Sequence, residues 1–255
     1  MEKAKLTFLG TGTSQGVPMI GCQCVVCKSA DPRDKRLRAS VLVDDMGKRI
    51  LVDAGPDFRQ QMLRAEVDHV DAILLTHNHK DHTGGLDDVR AFNYLEKAAT
   101  QIYCEKYVED SLRMEYSYAF AENRYPGAPE WNVHIIDEKP FSIDGVEIIP
   151  IRGKHFTLPV LGFRFGNIAY CTDMNHIAEE EYEKLNGLDH FIINCVRRGR
   201  HISHFSLEGA LAAAERVGAR QTWLTHLSHQ LPRYEVLITE LPSGVLPAYD
   251  GLIIE

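Results

Sequence analysis

The sequence has no apolar run that approaches the roughly 20 residues needed by a membrane-spanning helix. It also offers no signal peptide, because the apolar stretch at residues 6–9 is far shorter than an h-region and runs directly into Gly10. These two absences predict a cytoplasmic protein that does not associate with membranes.

Basic residues are outnumbered in this chain, which has 28 Lys and Arg against 36 Asp and Glu and a net charge of −8. Non-specific binding to nucleic acid draws most of its affinity from neutralised phosphates, so a nucleic-acid partner is not predicted. A small anionic substrate remains compatible with the charge balance, because bound divalent metals reverse the local field inside a pocket.

Low-complexity tracts are absent as well. A chain of 255 residues with 44% hydrophobic content is long enough to bury one full core. We therefore expect residues 1–255 to form a single α/β domain, and nothing in the composition requires a second one.

Cysteine is scarce, and three of the six residues lie within six positions of one another: Cys22, Cys24 and Cys27. So tight a loop does not suit a disulfide framework in a reducing compartment, which favours a metal. Three thiolates need a fourth ligand to complete a tetrahedral structural zinc, and His229 is the candidate for a lobe at residues 17–38. The alternative is a loop of free cysteines with His229 on the surface. The other cysteines end apolar runs and are expected to be buried, inert thiols: Cys104, Cys171 and Cys195.

Three histidines and an aspartate are packed into six positions after a short apolar run at residues 72–75: His77, His79, Asp81 and His82. The run is too short for a helix and suits a buried strand whose end delivers side chains into a loop. Imidazole and carboxylate groups so close together repel or compete unless a cation holds them. The alternative is a solvated, histidine-rich turn, which rarely has this density of ligands. The pattern therefore predicts a metal site.

This motif resembles the metal-binding signature of the metallo-β-lactamase superfamily, and later polar residues follow in the order that the family uses. The resemblance implies a four-layer αββα sandwich, a supporting role for Asp53, and catalytic roles for Asp81 and His204. It also implies a two-metal centre with this ligand set: His77, His79 and His155 for one metal, Asp81, His82 and His226 for the second, and Asp173 between them. Taken singly, each of the three later ligands is more often an ordinary surface or core residue. Together they supply the several protein ligands that a two-metal site needs.

The cysteine lobe indicates which branch of this superfamily the chain resembles. Paired with residues 225–230, it looks like the PhnP-type phosphodiesterases of the carbon–phosphorus lyase pathway, which hydrolyse phosphoribosyl 1,2-cyclic phosphate. The implied reaction is hydrolysis of a small cyclic or nucleotide-like phosphodiester by a hydroxide held between two divalent metals, Zn²⁺ or Mn²⁺, with a structural zinc in the lobe. The proton for the leaving sugar oxygen is expected from His204. The resemblance covers nearly the whole chain. The exception is residues 103–131, where this chain is longer and more aromatic than the family pattern.

Two other functions stay open: a tRNA 3′-processing endonuclease, and a non-catalytic nucleotide-binding relative of the same fold. The acidic balance weighs against the first, and the full ligand set weighs against the second. Arg197, Arg198 and Arg200 precede His204 and form either a cationic loop for a phosphate or a solvated loop. The aromatic segment 103–131 is ordinary core, a pocket wall or the face of a homodimer.

Periodicity predicts strands joined by short turns in both halves of the chain. A hairpin is expected at residues 40–52, and turns are expected at Asp144 and Gly166. Helices are predicted at residues 56–65, 86–94, 107–120, 179–185 and 206–217, the last with Ser206 as its N-cap. Two strand-rich halves with helices outside agree with a layered α/β sandwich.

Overall fold

A computed structural model describes residues 4–255, whose backbone forms two facing β-sheets with helices on both outer surfaces. The strands are β1 (Lys5–Gly10), β2 (Ser40–Asp45), β3 (Lys48–Val52), β4 (Ala72–Leu74), β5 (Thr100–Cys104), β6 (Trp131–Ile135), β7 (Phe141–Ile143), β8 (Val146–His155), β9 (Leu158–Phe165), β10 (Ile168–Cys171), β11 (His176–Ile177), β12 (His190–Asn194), β13 (Gln221–Thr225), β14 (Val245–Pro247) and β15 (Ile253–Ile254). The α-helices are α1 (Phe58–Arg64), α2 (Lys80–Thr83), α3 (Arg90–Glu96), α4 (Lys106–Glu115), α5 (Leu207–Val217) and α6 (Tyr234–Glu240). Short 3₁₀-helices cover Pro32–Asp34, Leu86–Val89, Ser117–Ala119 and Glu179–Leu185.

The first sheet has the strand order β15-β1-β2-β3-β4-β5-β6. The predicted hairpin of β2 and β3 is confirmed, and its turn places both Met46 and Gly47 at positive φ, as the tight turns that match strand twist require. From β3 to β6 the strands run parallel. The carboxyl ends of β3 and β4 therefore lie at one edge, where Asp53 and His77 follow them.

The second sheet has the order β11-β8-β9-β10-β12-β13-β14, with β7 paired to β8. Its longest ladder joins β8 and β9, from the pair Ile148 and Phe165 to the pair His155 and Leu158. The strands β10, β12, β13 and β14 are parallel. Asp173 and His226 follow the carboxyl ends of β10 and β13, so this sheet also presents polar residues at one edge.

Three apolar layers hold the sheets and helices together, as the α/β sandwich requires. The layer between the sheets includes Phe8, Leu74 and Phe163. An outer layer beneath α1, α3 and α4 includes Phe58, Phe92 and Leu112, and its counterpart beneath α5 and α6 includes Phe191, Ala210 and Leu237. The predicted four-layer αββα arrangement is confirmed.

Some predicted element bounds were wrong. The helix predicted at residues 107–120 ends at Glu115, because Tyr116 leaves helical geometry and packs its ring against Trp131 at a centroid distance of 5.2 Å. The segment Glu179–Leu185 is a 3₁₀-helix and not an α-helix. Ser206 does cap α5, since its side chain accepts a hydrogen bond from Gly209 N. Across residues 4–255, no helix is both long enough and apolar enough to cross a bilayer.

Candidate metal centres

The histidine motif and three distant residues meet at the edge between the two sheets. His77 follows β4, His155 is the last residue of β8, Asp173 follows β10, and His226 follows β13 directly. Because the strand ends converge here, residues up to 149 positions apart in sequence lie close together. The ring of His82 is 4.3 Å from that of His77 and 6.0 Å from that of His226, measured between centroids.

One group of donors consists of His77, His79 and His155, whose ligand atoms lie within 4.8 Å of one another. The ring centroids of His79 lie 4.6 Å from those of His77 and 4.9 Å from those of His155. His77 and His155 are buried, whereas His79 is exposed. This group therefore has one side open to solvent.

The second group consists of Asp81, His82, Asp173 and His226, again with ligand atoms within 4.8 Å of one another. Asp173 lies between two rings: its Oδ2 is 3.1 Å from His82 Nε2, and its Oδ1 is 3.2 Å from His226 Nε2. Asp81 Oδ2 is 3.3 Å and 3.6 Å from the same two nitrogens. Two carboxylates and two imidazoles thus converge on one point.

Several ring nitrogens in these groups are buried yet make no hydrogen bond to any residue in 4–255: His77 Nε2, His82 Nε2, and both nitrogens of His226. Leaving such atoms unsatisfied costs about 1–3 kcal/mol each. Imidazole and carboxylate donors at this density suit divalent transition metals. The predicted ligands therefore fit two metal ions, with Asp173 near both rings of the second group.

The electrostatics of the site also call for positive charge. Burial alone disfavours a charged ring at His82, but the carboxylates of Asp173, Asp53 and Asp81 outweigh it and raise the pKa of His82 well above its usual value. Burial opposes the charged form of Asp173 too, yet His226 and His82 hold the pKa of that carboxyl well below its usual range. Buried carboxylates need a cation beside them, whether a proton or a metal.

Asp53 orients two of the histidines from outside the ligand set. Its Oδ2 lies 2.6 Å from His82 Nδ1, and its carboxylate accepts hydrogen bonds from the backbone N and the hydroxyl of Thr76 at 2.9 Å each. The Thr76 hydroxyl in turn lies 2.9 Å from His77 Nδ1. Such partners fix the tautomer and direction of a ligating ring. The supporting role expected for Asp53 agrees with this geometry, whereas sequence reasoning missed Thr76.

Three residues of the site adopt left-handed backbone conformations, which residues other than glycine rarely take: Asp53 (φ 64°), Asp173 (φ 56°) and His226 (φ 53°). Conformations of this kind cost of order 1–3 kcal/mol each and persist where the surroundings enforce them. Gly55 belongs to the same region, because a Cβ at this position would lie 2.0 Å from the Asp81 carbonyl oxygen. The backbone is therefore strained and closely packed where the donors are positioned.

His204 lies beside both donor groups. Its Nδ1 is 3.7 Å from Asp173 Oδ1, and its ring centroid is 4.5 Å from that of His155 and 4.8 Å from that of His226. With His155 and Asp173 it also forms a set of donors within 4.8 Å of one another, so its position suits a ligand as well as an acid. Burial and the neighbouring His226 lower the pKa of His204 to about 3.

The three arginines before His204 do not act as one group. Arg197 donates to the carbonyl oxygen of Arg200 at 2.6 Å and so closes the loop on itself. Arg198 points to the other side of the loop and pairs with Glu240. Of the three arginines, only Arg197 and Arg200 line the cavity next to His204, and these two could form the cationic loop that the sequence left open.

The cysteine lobe brings its four predicted ligands together. Ligand atoms of Cys22, Cys24, Cys27 and His229 lie within 4.8 Å of one another, and His229 Nδ1 is 3.3 Å from Cys22 Sγ and 3.5 Å from Cys24 Sγ. The backbone N–H of Cys27 donates to Cys24 Sγ; this contact and His229 lower the pKa of Cys24 to about 6. Three cysteine sulfurs and an imidazole fit a tetrahedral zinc.

The remaining cysteines are buried thiols, as expected. Burial raises the pKa of Cys104 and Cys195 to about 12 each, and it raises that of Cys171 further. None of the three belongs to a cluster of potential metal ligands in residues 4–255.

The two centres share one short segment, since His229 stands three positions after His226. Leu227 N donates to Thr11 O at 2.8 Å, and the Ser228 hydroxyl donates to Val196 O at 2.6 Å. These bonds fix the segment between the two histidines independently of either cluster.

Comparison with known proteins identifies the family. Residues 48–227 match the family described as the beta-lactamase superfamily domain. The chain belongs to this superfamily. A crystal structure described as a new diphosphatase from the PhnP family has 39% identity and a TM-score of 0.93, with 98% of this chain and 96% of that chain covered. The resemblance to PhnP-type proteins is thereby confirmed.

Other relatives extend the comparison. The chain is 44% identical to an octanoyltransferase of Porphyromonas gingivalis over 96% of its own length, but it spans only 50% of that protein. It is 25% identical to the coenzyme PQQ synthesis protein B of Pseudomonas putida, which it covers almost entirely (99%). Human tRNase Z, short form, shares the fold at a TM-score of 0.71 and 19% identity. Together with the donor clusters, these findings support a metal-dependent hydrolase.

Proposed function

We propose that this protein is a binuclear phosphodiesterase that hydrolyses a small cyclic or nucleotide-like phosphodiester. The observation that carries the proposal is the second donor group, where Asp173 lies between His82 and His226 while the His77 group beside it keeps an open side at His79. Catalytic metal sites keep an open position, whereas structural sites are closed. The similarity to a PhnP-family diphosphatase supports phosphorus chemistry.

Two divalent ions, Zn²⁺ or Mn²⁺, would be held by His77, His79 and His155 and by Asp81, His82 and His226, with Asp173 shared. When bound, they would supply Lewis acidity for phosphate oxygens and lower the pKa of a water to near ~7. The protein itself sets the geometry: Asp53 orients His82 directly and His77 through Thr76, and the carbonyl of Ser203 accepts from His155 Nδ1 at 2.7 Å.

We assign assistance of the leaving group to His204. It belongs to the loop before α5, its side chain is only 12% exposed, it lies against both donor groups, and it lines the cavity that opens to solvent. Because its pKa is lowered to about 3, the ring is neutral near pH 7, and its N–H can donate a hydrogen bond to a phosphate oxygen or to the departing alkoxide. A donor positioned on the leaving group typically contributes ~10²–10⁴ in rate.

The test is a substrate panel on the metal-loaded protein. Bis(p-nitrophenyl) phosphate and 1,2- or 2′,3′-cyclic ribose phosphates should be hydrolysed, whereas phosphomonoesters and intact pre-tRNA should be poor substrates. Efficient 3′ trimming of pre-tRNA at physiological salt would instead favour the nuclease. Turnover of an octanoyl thioester with no diester hydrolysis would overturn the proposal in favour of acyl chemistry.

A further inference from the structure

A cavity of about 870 Å³ opens to solvent next to His204. Its walls come from the turn after β8 and from the loop that precedes α5. The residues that the argument uses are Phe156, Asn175, Arg200, His201 and Ile202, all of which line it. A cavity of this size is typical of small-molecule sites. His204 lines the cavity and lies beside the metal donors His155 and His226, so a ligand in the cavity would lie close to both donor groups.

Asn175 braces the two walls. Its Oδ1 accepts a hydrogen bond from Phe156 N at 3.1 Å, and its Nδ2 donates to Ile202 O at 2.9 Å. The adjacent backbone is fixed as well, since Met174 N donates to Asn194 Oδ1 at 2.8 Å. The cavity is therefore preformed and does not depend on a loop closing.

Two large apolar side chains are exposed to solvent at the rim of this cavity. Phe156 is 55% exposed and Ile202 is 67% exposed. Phe156 also has a φ of 58°, an uncommon conformation for an aromatic residue that costs of order 1–3 kcal/mol. The two-residue turn between β8 and β9 sets this backbone conformation, but an aromatic side chain that is exposed there, directly after His155, gains nothing for the core. Its position instead suits contact with the face of a planar ligand.

The other side of the cavity is cationic. The Arg200 guanidinium has no hydrogen bond or ion pair to any residue in the described part of the chain, whereas the Arg200 carbonyl is occupied by Arg197. His201 Nδ1 accepts from Ser203 N at 3.3 Å, so a neutral His201 ring carries its hydrogen on Nε2 as a free donor. Within residues 4–255, no carboxylate lines the cavity. A phosphate would thus meet donors with no opposing negative charge.

We propose that this cavity binds the part of the substrate that is not cleaved, and that this part is of the nucleotide class. A phosphate would bind Arg200 and His201, and a planar base would stack on Phe156 with Ile202 at its edge. A plain sugar phosphate would use the cationic side but leave the exposed aromatic face unexplained. The inference rests on the proposed phosphodiesterase function and assigns its specificity to four residues.

Binding of AMP and of ribose 5-phosphate to the metal-loaded protein, measured by titration calorimetry, tests this directly. Base stacking on an aromatic side chain contributes about 1–3 kcal/mol, so AMP should bind about tenfold or more tightly than ribose 5-phosphate. Phe156→Ala should abolish that preference, while Phe156→Leu should keep part of it. Arg200→Ala should weaken both ligands about tenfold or more, because a hydrogen bond to a charged group is lost.

Arg198→Ala is the matched control, since Arg198 lies two positions away but pairs with Glu240 outside the cavity, and it should change neither affinity. Equal binding of AMP and ribose 5-phosphate, binding of neither ligand, or an unchanged preference in Phe156→Ala would overturn the inference. Hydrolysis of bis(p-nitrophenyl) phosphate separates this result from the parent proposal. A protein that prefers AMP through Phe156 yet hydrolyses no diester would contradict the phosphodiesterase and leave the nucleotide site standing.

Discussion

The two donor clusters use overlapping chemistry but differ in how many protein donors serve each metal position. In the cysteine lobe, one metal position would have four protein ligands, enough for a tetrahedron: Cys22, Cys24, Cys27 and His229. In the histidine centre, seven donors surround two positions, one side stays open at His79, and a cavity lies beyond His204. Closed sites hold structure and open sites admit substrate. The comparison teaches that the number of protein donors for each metal position, more than ligand type, distinguishes the two proposed roles.

The clusters also differ in where they lie in the fold. The histidine centre sits on rigid strand ends with buried partners such as Asp53, whereas the lobe packs around a small apolar group of Val17, Val26 and Cys27. So small a core cannot order the lobe by burial alone, since its apolar area is minor. We therefore expect a bound metal to be the main stabilising element in the lobe, but only an addition to stability at the strand ends.

The largest expected effect is on the lobe. Replacing Cys22, Cys24 and Cys27 together by serine should remove one metal of about three and lower the thermal stability severely, because structural zinc supplies up to ~10–16 kcal/mol in zinc-finger peptides. Metal analysis and calorimetry measure both changes. Cys195→Ala, which alters a buried thiol outside both clusters, should leave the metal count intact. A triple variant that keeps all its metal would end the structural-zinc interpretation.

A pair of histidines three positions apart separates the two roles. His226→Ala should lose catalytic metal and reduce diester hydrolysis to background for every substrate. His229→Ala should weaken the lobe metal, because three of its four ligands remain, and lower stability less than the triple variant. It should keep turnover, because Leu227 and Ser228 hold the intervening segment through Thr11 and Val196. Metal content and rates of the two purified variants provide the measurement. Identical losses in both would show that the centres are not separable.

Much of this comparison could be predicted from the sequence. The close spacing from His77 to His82 and from Cys22 to Cys27 is a local signal, and metal chemistry constrains both clusters strongly. His229 was predicted from the need for a fourth tetrahedral ligand and from its place three positions after His226, and its ring does lie among the cysteines. The N-cap at Ser206 was equally local.

Other features depend on tertiary contacts and escaped prediction. The strand β8 runs through Pro150 and Gly153 to His155, which breaks any alternating pattern but is enforced by pairing with β9 along its length. The left-handed conformations of Asp173 and His226 oppose local preference and follow from the site. Arg198 could not be told from Arg200, because the side of a loop that each residue faces is not encoded in spacing.

His204 should differ from the metal ligands in its response. His204→Ala should retain the full metal content while lowering turnover of a ribose cyclic phosphate by ~10²–10⁴, as expected for a lost proton donor. Bis(p-nitrophenyl) phosphate expels a weakly basic phenolate that needs little protonation, so the variant should lose much less turnover on this substrate. Metal analysis and parallel rates on the two substrates give the result. Lost metal would make His204 a ligand, and equally small losses would make it a bystander.

The smallest effect concerns Thr76, which links Asp53 to His77. Thr76→Val removes the hydroxyl at nearly constant volume and should weaken metal affinity or activity by roughly 10–100-fold. Thr225 is a matched control, because it precedes His226 as Thr76 precedes His77 but its buried hydroxyl makes no hydrogen bond within residues 4–255. Competition with a fluorescent chelator measures the affinity. Equal behaviour of Thr76→Val and Thr225→Val would remove the relay from the account.

Stepwise metal removal from the purified protein tests most directly whether two metals serve catalysis and a third serves stability. Dialysis against a chelator, sampled for metal content, diester hydrolysis and melting temperature, should begin near three metals per chain. Activity should vanish as the first two leave, while the melting temperature falls mainly with the third, since the lobe is the closed site. Full activity after two metals have left, or a single metal at the start, would contradict an open catalytic pair beside a closed structural site.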